Sequence, residues 1–152
     1  MPSAGERAPD FSLPSTNGEL RLADLLREGR VLLAFYFEDG TPTCSTEVRA
    51  LADAHDVIRE LGARVVAVSA DGIESHRAFA ERLGGLPYPL ASDAELAVAR
   101  AYDAVAKDDP RRSRRALFVI EQDGTIAYAA SPYSPNSLSQ LEEALRALGM
   151  EI

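Results

Sequence analysis

Short runs of apolar residues alternate along the chain with longer stretches in which apolar positions recur at helical spacing. Three such runs lie at 31–37, 64–69 and 116–120. Runs this short are typical of strands that are covered on both faces by other elements. A fourth run, 125–128, follows the third across an Asp-Gly pair at 123–124, which indicates a β-hairpin.

The stretches between these runs predict helices. From Cys44 to about Leu61 the apolar residues follow a helical period, and Gly62 marks an end. Ser92 and Glu95 form a capping-box pattern, which predicts a helix that runs to about Tyr102. Two more helices are predicted, at 74–83 before a Gly-Gly pair and from near Ser137 to Leu148 before Gly149.

The remaining segments predict connections. Residues 8–13 predict a short extended opening, 15–18 a turn, 22–26 a brief helical patch and 103–114 a polar loop. Strands that alternate with helices pair in parallel through right-handed crossovers, and the terminal hairpin adds an antiparallel edge. We therefore expect an α/β fold with a central mixed sheet, helices on both faces and a C-terminal antiparallel hairpin. The length of 152 residues predicts one domain over 1–152.

Charge and composition exclude several classes of function. The chain has 24 acidic and 16 basic residues and a formal net charge of −8, which argues against nucleic-acid and anionic-membrane partners. No apolar run approaches the roughly 20 residues of a membrane span. The first residues lack a basic region followed by an apolar one, so a cytoplasmic location is expected.

The single cysteine, Cys44, lies where the first predicted strand passes into a helix. There the free N–H groups and the helix dipole favour the thiolate, which is the nucleophilic form of cysteine. One cysteine excludes an intrachain disulfide and dithiol chemistry, so a redox cycle needs an outside thiol. His55 is expected on a helix face and His76 in solvent. These residues predict no metal site, no cofactor and no Ser–His–acid arrangement.

The residues around Cys44, F-Y-x-x-D-x-T-P-x-C-x-T-E at 35–47, resemble the peroxidatic loop of the peroxiredoxins. The resemblance is strongest to the branch called bacterioferritin comigratory protein or peroxiredoxin Q. It extends to A-P-D-F-x-L at 8–13, V-V-A-V-S-A-D at 65–71, S-H-R-A-F-A-E at 75–81 and P-L-x-S-D at 89–93. It implies a thioredoxin-like fold and a thiol peroxidase in which the Cys44 thiolate attacks peroxide and becomes a sulfenic acid.

The resemblance also implies donors around the reacting oxygens. Thr41 would supply a hydroxyl, and backbone N–H groups near Thr43 and Cys44 would supply more. Arg115, directly before the strand at 116–120, stands in the register of the catalytic arginine of the family. Arg114 is the alternative catalytic arginine, because a shift of the strand register by one residue would turn each side chain to the opposite face of the sheet.

Other charged residues near the site have more than one interpretation. Glu47, in the first helical turn, either complements the helix dipole or orients an arginine. Three other arginines precede the strand at 116–120 and are expected on a solvated loop face. These are Arg111, Arg112 and, unless it is the catalytic arginine, Arg114.

Two departures from the family pattern define the expected variant. Phe37 stands where the family has a proline that shapes the loop, and Arg49 stands where many close relatives carry a resolving cysteine. We expect a one-cysteine peroxidase, a monomer or homodimer, recycled by a thioredoxin-like protein or a small thiol. The alternative is a non-catalytic redox sensor or interaction module on the same fold. A general thiol–disulfide reductase is disfavoured because there is no second cysteine.

Overall fold

A computed structural model describes residues 2–131 and 139–150 of the chain. The strands in these ranges are β1 (Ser12–Ser15), β2 (Gly18–Arg21), β3 (Arg30–Phe35), β4 (Ala63–Ser69), β5 (Leu90–Ser92), β6 (Ala116–Ile120) and β7 (Ile126–Ala130). The helices are α1 (Leu22–Glu28), α2 (Pro42–Asp53), α3 (His55–Glu60), α4 (Ile73–Arg82), α5 (Ala97–Ala101) and α6 (Ser139–Ala147).

The strands form one mixed sheet in the order β2-β1-β5-β4-β3-β6-β7. The three central strands β5, β4 and β3 are parallel, and β6 and β7 continue the sheet as an antiparallel hairpin. The mixed sheet with a C-terminal hairpin that the sequence predicts is therefore confirmed.

A second hairpin, at the opposite edge, was not predicted. β1 and β2 pair antiparallel and close on the Ser15–Gly18 pair, and β1 joins the sheet through Ser15 and Ala91 of β5. Gly18 has a φ of 90°, a conformation that glycine adopts without steric cost. The segment 15–18 is thus a turn as expected, but it reverses the chain between two strands.

Strand β3 lies at the centre of the core and is buried on both faces. Leu32 and Ala34 belong to the cluster formed with α2, α3, α4 and α6. Leu33 and Phe35 belong to a second cluster on the other face, with residues of α1 and α5. The continuous apolar run is explained by this double covering, because neither face of the strand meets water.

The predicted helix from Cys44 to Leu61 is two helices. The backbone at Ala54 has φ −88° and ψ −1°, so α2 ends at Asp53 and α3 begins at His55. No glycine or proline lies at this point, so the break could not be predicted from residue type. The predicted end near Gly62 is correct.

The predicted capping box before α5 is wrong. Ser92 lies in β5, and α5 begins only at Ala97, because Leu96 has a left-handed backbone (φ 60°) that cannot belong to the helix. The carboxylate of Asp93 instead accepts hydrogen bonds from the N–H groups of Val98, at 3.3 Å, and Ala99, at 2.8 Å. A buried aspartate therefore performs the role that the pattern assigned to a serine.

The other predicted segments agree more closely. Helix α4 matches the prediction, and the structure shows the polar loop 103–114, closed by a bridge between Val105 and Ser113. The predicted start of the last helix near Ser137 lies outside the described residues. Among the helices at 2–131 and 139–150, none is both long and apolar enough to cross a membrane.

The pairing of β3 with β6 places two distant segments at one edge of the sheet. The last residue of β3, Phe35, pairs with the first residue of β6, Ala116. The loop that leads to Cys44 follows Phe35, and Arg115 precedes Ala116. Antiparallel register thus brings the two predicted parts of the site to the same end of adjacent strands.

Candidate active site

Cys44 is the third residue of α2 and is completely buried. Pro42 opens the helix, at the position where a missing N–H costs no hydrogen bond. Thr41 caps it with an extended backbone (φ −73°, ψ 149°). The thiol therefore belongs to the first turn of a twelve-residue helix, at the end that favours negative charge.

Thr41 is bonded to the cysteine through the backbone. Its Oγ1 accepts the N–H of Cys44 at 3.3 Å and donates to the carbonyl of Glu38 at 3.4 Å. Both bonds are long, so the hydroxyl can be turned toward a stronger acceptor at small cost. Thr43, one residue before the thiol, is half-buried.

The two candidate arginines have different surroundings. Arg114 donates to the carbonyl oxygen of Asp103, and its guanidinium lies 3.7 Å from the Asp103 carboxylate, so it is held against the 103–114 loop. Both arginines are half-buried, and within the described ranges the Nε atom of each has no hydrogen-bond partner. Arg115 is near enough to Glu47 to affect the pKa of that carboxyl.

Glu47 is a buried carboxyl one helical turn after the thiol. It is fully buried, and neither carboxyl oxygen has a hydrogen-bond partner in the part of the chain that the structure describes. Burial raises the pKa of Glu47 well above its usual value, the neighbouring Cys44 raises it further, and Arg115 opposes the rise. A residue predicted only to complement the helix dipole or orient an arginine is thus placed beside the thiol.

The two departures from the family pattern occupy different environments. Phe37 is half-buried and packs against the core cluster that contains Cys44. Arg49 is exposed, and its guanidinium donates to the carbonyl of Leu83 at 3.1 Å.

His76 was expected in solvent, and this prediction is wrong. The ring is completely buried. Its Nδ1 lies 2.8 Å from Oδ2 of Asp39, and its Nε2 lies 2.9 Å from the carbonyl oxygen of Ala91. His76 occupies the same face of α4 as Phe79, three residues later, and this spacing is the sequence signal that could have indicated burial.

Arg112 was also expected in solvent and is instead paired. Its guanidinium lies 2.7 Å from Asp71 and 2.9 Å from Glu38, with 27% of the side chain exposed. Burial alone would raise the pKa of Asp71, but hydrogen bonds from Ser69 and Arg112 lower it. Arg114 is likewise partly buried and paired, whereas Arg111 is exposed as predicted.

Residues 2–131 and 139–150 contain no group of three or more His, Cys, Asp or Glu that could hold a metal ion.

Comparison with known proteins gives consistent matches. The AhpC/TSA family model matches residues 4–129. The chain is 35% identical to the chloroplastic 2-cysteine peroxiredoxin of Chattonella marina var. antiqua, over 95% of this chain and 77% of that protein. It is 32% identical to the putative peroxiredoxin bcp of Coxiella burnetii, over 81% of this chain and 84% of the relative. It spans only 52% of two plant chloroplastic 2-Cys peroxiredoxins that it also matches.

The fold is similar to solved structures as well. The crystal structure of peroxidoxin BcpB from Mycobacterium tuberculosis superposes with a TM-score of 0.87 at 30% identity, over 97% of both chains. A thiol at the start of a helix on a thioredoxin-like mixed sheet defines a thiol-dependent oxidoreductase. The chain belongs to the AhpC/TSA family, as a peroxiredoxin with one cysteine that is related to the bacterioferritin comigratory protein branch.

Proposed function

We propose that this protein is a thiol-dependent peroxidase that reduces hydrogen peroxide and organic hydroperoxides at Cys44. The observation that carries the proposal is the position of the thiol. Cys44 lies buried in the first turn of α2, and its N–H is held by Thr41. Glu47 lies near the thiol, Arg115 lies near Glu47, and both have buried polar atoms without a partner among the described residues.

In the oxidation step, the thiolate of Cys44 attacks the terminal oxygen of the peroxide. The O–O bond breaks as the S–O bond forms, so the sulfur loses two electrons and becomes a sulfenic acid. The departing oxygen leaves as hydroxide or alkoxide and takes a proton to become water or alcohol.

Charge moves in this step from the sulfur to the departing oxygen, so donors are needed around both atoms. In our proposal the N–H groups of Thr43 and Cys44 and the hydroxyl of Thr41 stabilise the reacting oxygens. Arg115 lowers the energy of the thiolate and donates to the peroxide through its guanidinium. Glu47 is a supporting residue that acts through Arg115, and the proposal is supported by the effect of Arg115, which lowers the pKa of Glu47.

The cycle is completed by thiols from outside the chain, because the sequence contains one cysteine. A first external thiol attacks the Cys44 sulfenic acid, forming a mixed disulfide and releasing water. A second thiol attacks the external sulfur of this disulfide, which frees Cys44 and leaves the reductant oxidised. The reductant is a thioredoxin-like protein or a small thiol, and the protein acts as a monomer or homodimer in the cytoplasm.

The decisive experiment measures the oxidation of Cys44 directly. Since the chain contains no tryptophan, the rate is best measured by competition for peroxide against horseradish peroxidase. We expect fast oxidation by hydrogen peroxide and by an alkyl hydroperoxide, with the sulfenic acid trapped by dimedone and identified by mass spectrometry. The Cys44→Ser variant should compete for neither peroxide.

Turnover distinguishes the enzyme from a redox sensor. With an excess of dithiothreitol, the peroxidase should consume many equivalents of peroxide with saturation kinetics. Slow oxidation that stops at one equivalent would overturn the proposal and favour a sensor. A Cys44→Ser variant that consumes peroxide as fast as the wild type would overturn the proposal by showing that Cys44 is not the reacting group.

A further inference from the structure

A cavity of about 360 Å³ lies beside the first residues of β4, and its lining includes Arg64, Val65 and Val66. We call it the β4 cavity. β4 runs parallel to β3, and the loop that leads to Cys44 follows the last residue of β3, so the start of β4 lies at the opposite end of the sheet. The β4 cavity is therefore separate from the proposed active site, and its volume is that of a site for a small molecule.

The β4 cavity exists because β5 pairs with only part of β4. The pairing covers residues 67–69 of β4 and begins at Leu90 of β5. Before Leu90 the chain reads Pro-Tyr-Pro at 87–89, and a proline has no N–H with which to extend the pairing. Asn17 and Leu20, from the β1–β2 hairpin, line the gap that remains.

One side of the β4 cavity is apolar and fixed in place. Leu20, Leu25 and Tyr88 belong to this side. The ring of His55, the first residue of α3, stacks against Tyr88 with ring centroids 6.4 Å apart and an angle of 27° between the planes. The hydroxyl of Tyr88 donates to the carbonyl of Val48 at 2.6 Å, so this ring is held in one orientation.

The polar side of the β4 cavity carries N–H donors and positive charge. Asn17, Arg59 and Arg64 line it, and no Asp or Glu of the described residues does. Arg64 is paired with Glu28 at 3.2 Å. Arg59 makes no ion pair or side-chain hydrogen bond within the described ranges, so its planar set of donors is available to a ligand.

His55 lies where the polar and the apolar sides meet. Burial lowers the pKa of its imidazole, the charge of Arg59 lowers it further, and Asp56 opposes the change. The guanidinium of Arg59 is thus close enough to act on the ring. A bound anion would have the reverse effect, because it stabilises the imidazolium.

We propose that the β4 cavity binds a small organic oxyanion, which is a phosphate or a carboxylate attached to a flat apolar group. The oxyanion accepts hydrogen bonds from Arg59 and His55, since a guanidinium matches two oxygen atoms of one ligand. The flat group packs against Leu25 and Tyr88. Binding requires neither Cys44 nor a peroxide, so this inference does not rest on the proposed peroxidase function.

An NMR titration of the full chain tests the site, with phenyl phosphate and benzoate as separate ligands. The chain contains two histidines, so one imidazole signal reports on the β4 cavity and the other is a reference. His76 is the reference because it is buried against Asp39 and Ala91. We expect the signal of His55 to shift with saturation and the signal of His76 to stay in place. The bound ligand should raise the pKa of His55 by about 1.

Two variants that lose the same charge show whether the binding is specific. Arg59→Gln should weaken binding about tenfold, because a charged donor to the oxyanion is lost. It should also remove most of the ligand-induced rise in the pKa of His55. Arg77→Gln is the matched control and should bind like the wild type. Arg77 is likewise exposed on a helix without an ion pair among the described residues, but it does not line the β4 cavity.

Two further ligands test the two sides of the β4 cavity. Inorganic phosphate lacks the flat group and phenol lacks the charge, so each should bind about tenfold more weakly than phenyl phosphate or benzoate, whichever binds more tightly. The tighter of those two ligands identifies the oxyanion as phosphate or carboxylate.

Three results would overturn the inference. These are no saturable shift of His55 with either ligand, equal weakening in Arg59→Gln and Arg77→Gln, and binding of inorganic phosphate or phenol as tight as that of the organic oxyanions. None of these measurements uses peroxide. Failure of this site would therefore leave the proposed peroxidase function standing, and a protein that consumes no peroxide would leave the site standing.

Discussion

Oγ1 of Thr41 lies 3.3 Å from the backbone nitrogen of Cys44, so the residue that caps α2 is hydrogen-bonded to the residue that carries the thiol. Helix formation and the placement of the nucleophile therefore depend on the same side chain. We therefore expect loss of the Thr41 hydroxyl to change both the stability of the protein and the rate of Cys44 oxidation.

Replacement of Thr41 by valine keeps the shape and removes the hydroxyl. We expect the free energy of unfolding to fall by about 1 kcal/mol, as for other lost caps. The rate of Cys44 oxidation should fall on the order of 100-fold, because a donor to the reacting oxygen is lost. Denaturant titration and peroxide competition measure the two effects. Thr41→Ser is the control and should preserve both, whereas a valine variant with normal oxidation would show that the hydroxyl has no part in the reaction.

A pair of alanine variants tests which of the two arginines before β6 contributes to the oxidation of Cys44. Arg115→Ala should reduce the rate of Cys44 oxidation on the order of 100-fold, because its guanidinium is proposed to contact the thiolate and the peroxide. Arg114→Ala should change it less than threefold or so, since Arg114 is held by Asp103. Arg115→Lys should recover only part of the loss, because lysine lacks the planar set of donors. The reverse ranking would assign the role to Arg114.

The buried carboxyl of Glu47 is expected to make the stability of the protein depend on pH. Burial raises the pKa of its carboxyl well above the usual 4.5, so the folded state binds more protons than the unfolded state between these two values. Its contribution to stability is complete below pH 4.5 and is lost as the pH rises through the folded pKa. Glu47→Gln, which cannot ionise, should therefore gain stability relative to the wild type as the pH rises. Denaturant titrations across this range test this, and parallel curves would contradict it.

Asp93 is predicted to stabilise the start of α5. Asp93→Ala should lower the free energy of unfolding by about 1–3 kcal/mol, because two backbone donors lose their partner in a buried site. Glu95→Ala, at an exposed position, should change it by less than about 0.5 kcal/mol. Thermal or denaturant unfolding of the two variants compares them. A large effect at Glu95 would restore the capping-box interpretation.

Phe37 is predicted to limit access to the thiol. In Phe37→Ala, part of the packing against the cluster around Cys44 is lost, so iodoacetamide should alkylate Cys44 several-fold faster than in the wild type. Phe37→Leu is the matched control and should remain close to the wild-type rate. Equal alkylation rates in all three proteins would show that the side chain does not shield the sulfur.

The elements that follow from local patterns were predictable from the sequence. The apolar run at β3, the Asp-Gly turn before β7 and the glycine after α3 each depend on neighbouring residues, and the structure has them where expected. The break at Ala54 and the left-handed Leu96 were missed, because no residue type at those positions marks them. The β1–β2 hairpin was missed because its strands are short and only partly apolar.

The candidate site was predictable only where the residues are close in sequence. Cys44, Thr41 and Glu47 share one helix start and could be recognised together. The pairing of His76 with Asp39 joins residues 37 positions apart, and an isolated histidine carries no sign of its partner. Arg112 looked like part of a solvated charge run for the same reason, since its partners Asp71 and Glu38 come from other loops.

Because β3 is covered on both faces, we expect its amide hydrogens to exchange more slowly than those of the loop 37–41 and the first turn of α2, which lie on the other side of Cys44. β3 is paired on both sides and its residues from Val31 to Phe35 are fully buried, so we expect its amide hydrogens to exchange with deuterium only when the whole protein unfolds. The loop 37–41 and the first turn of α2 have no such protection from neighbouring strands. Any deuterium uptake near the thiol that responds to oxidation should therefore come from the helix side, while the sheet side stays unlabelled as an internal reference.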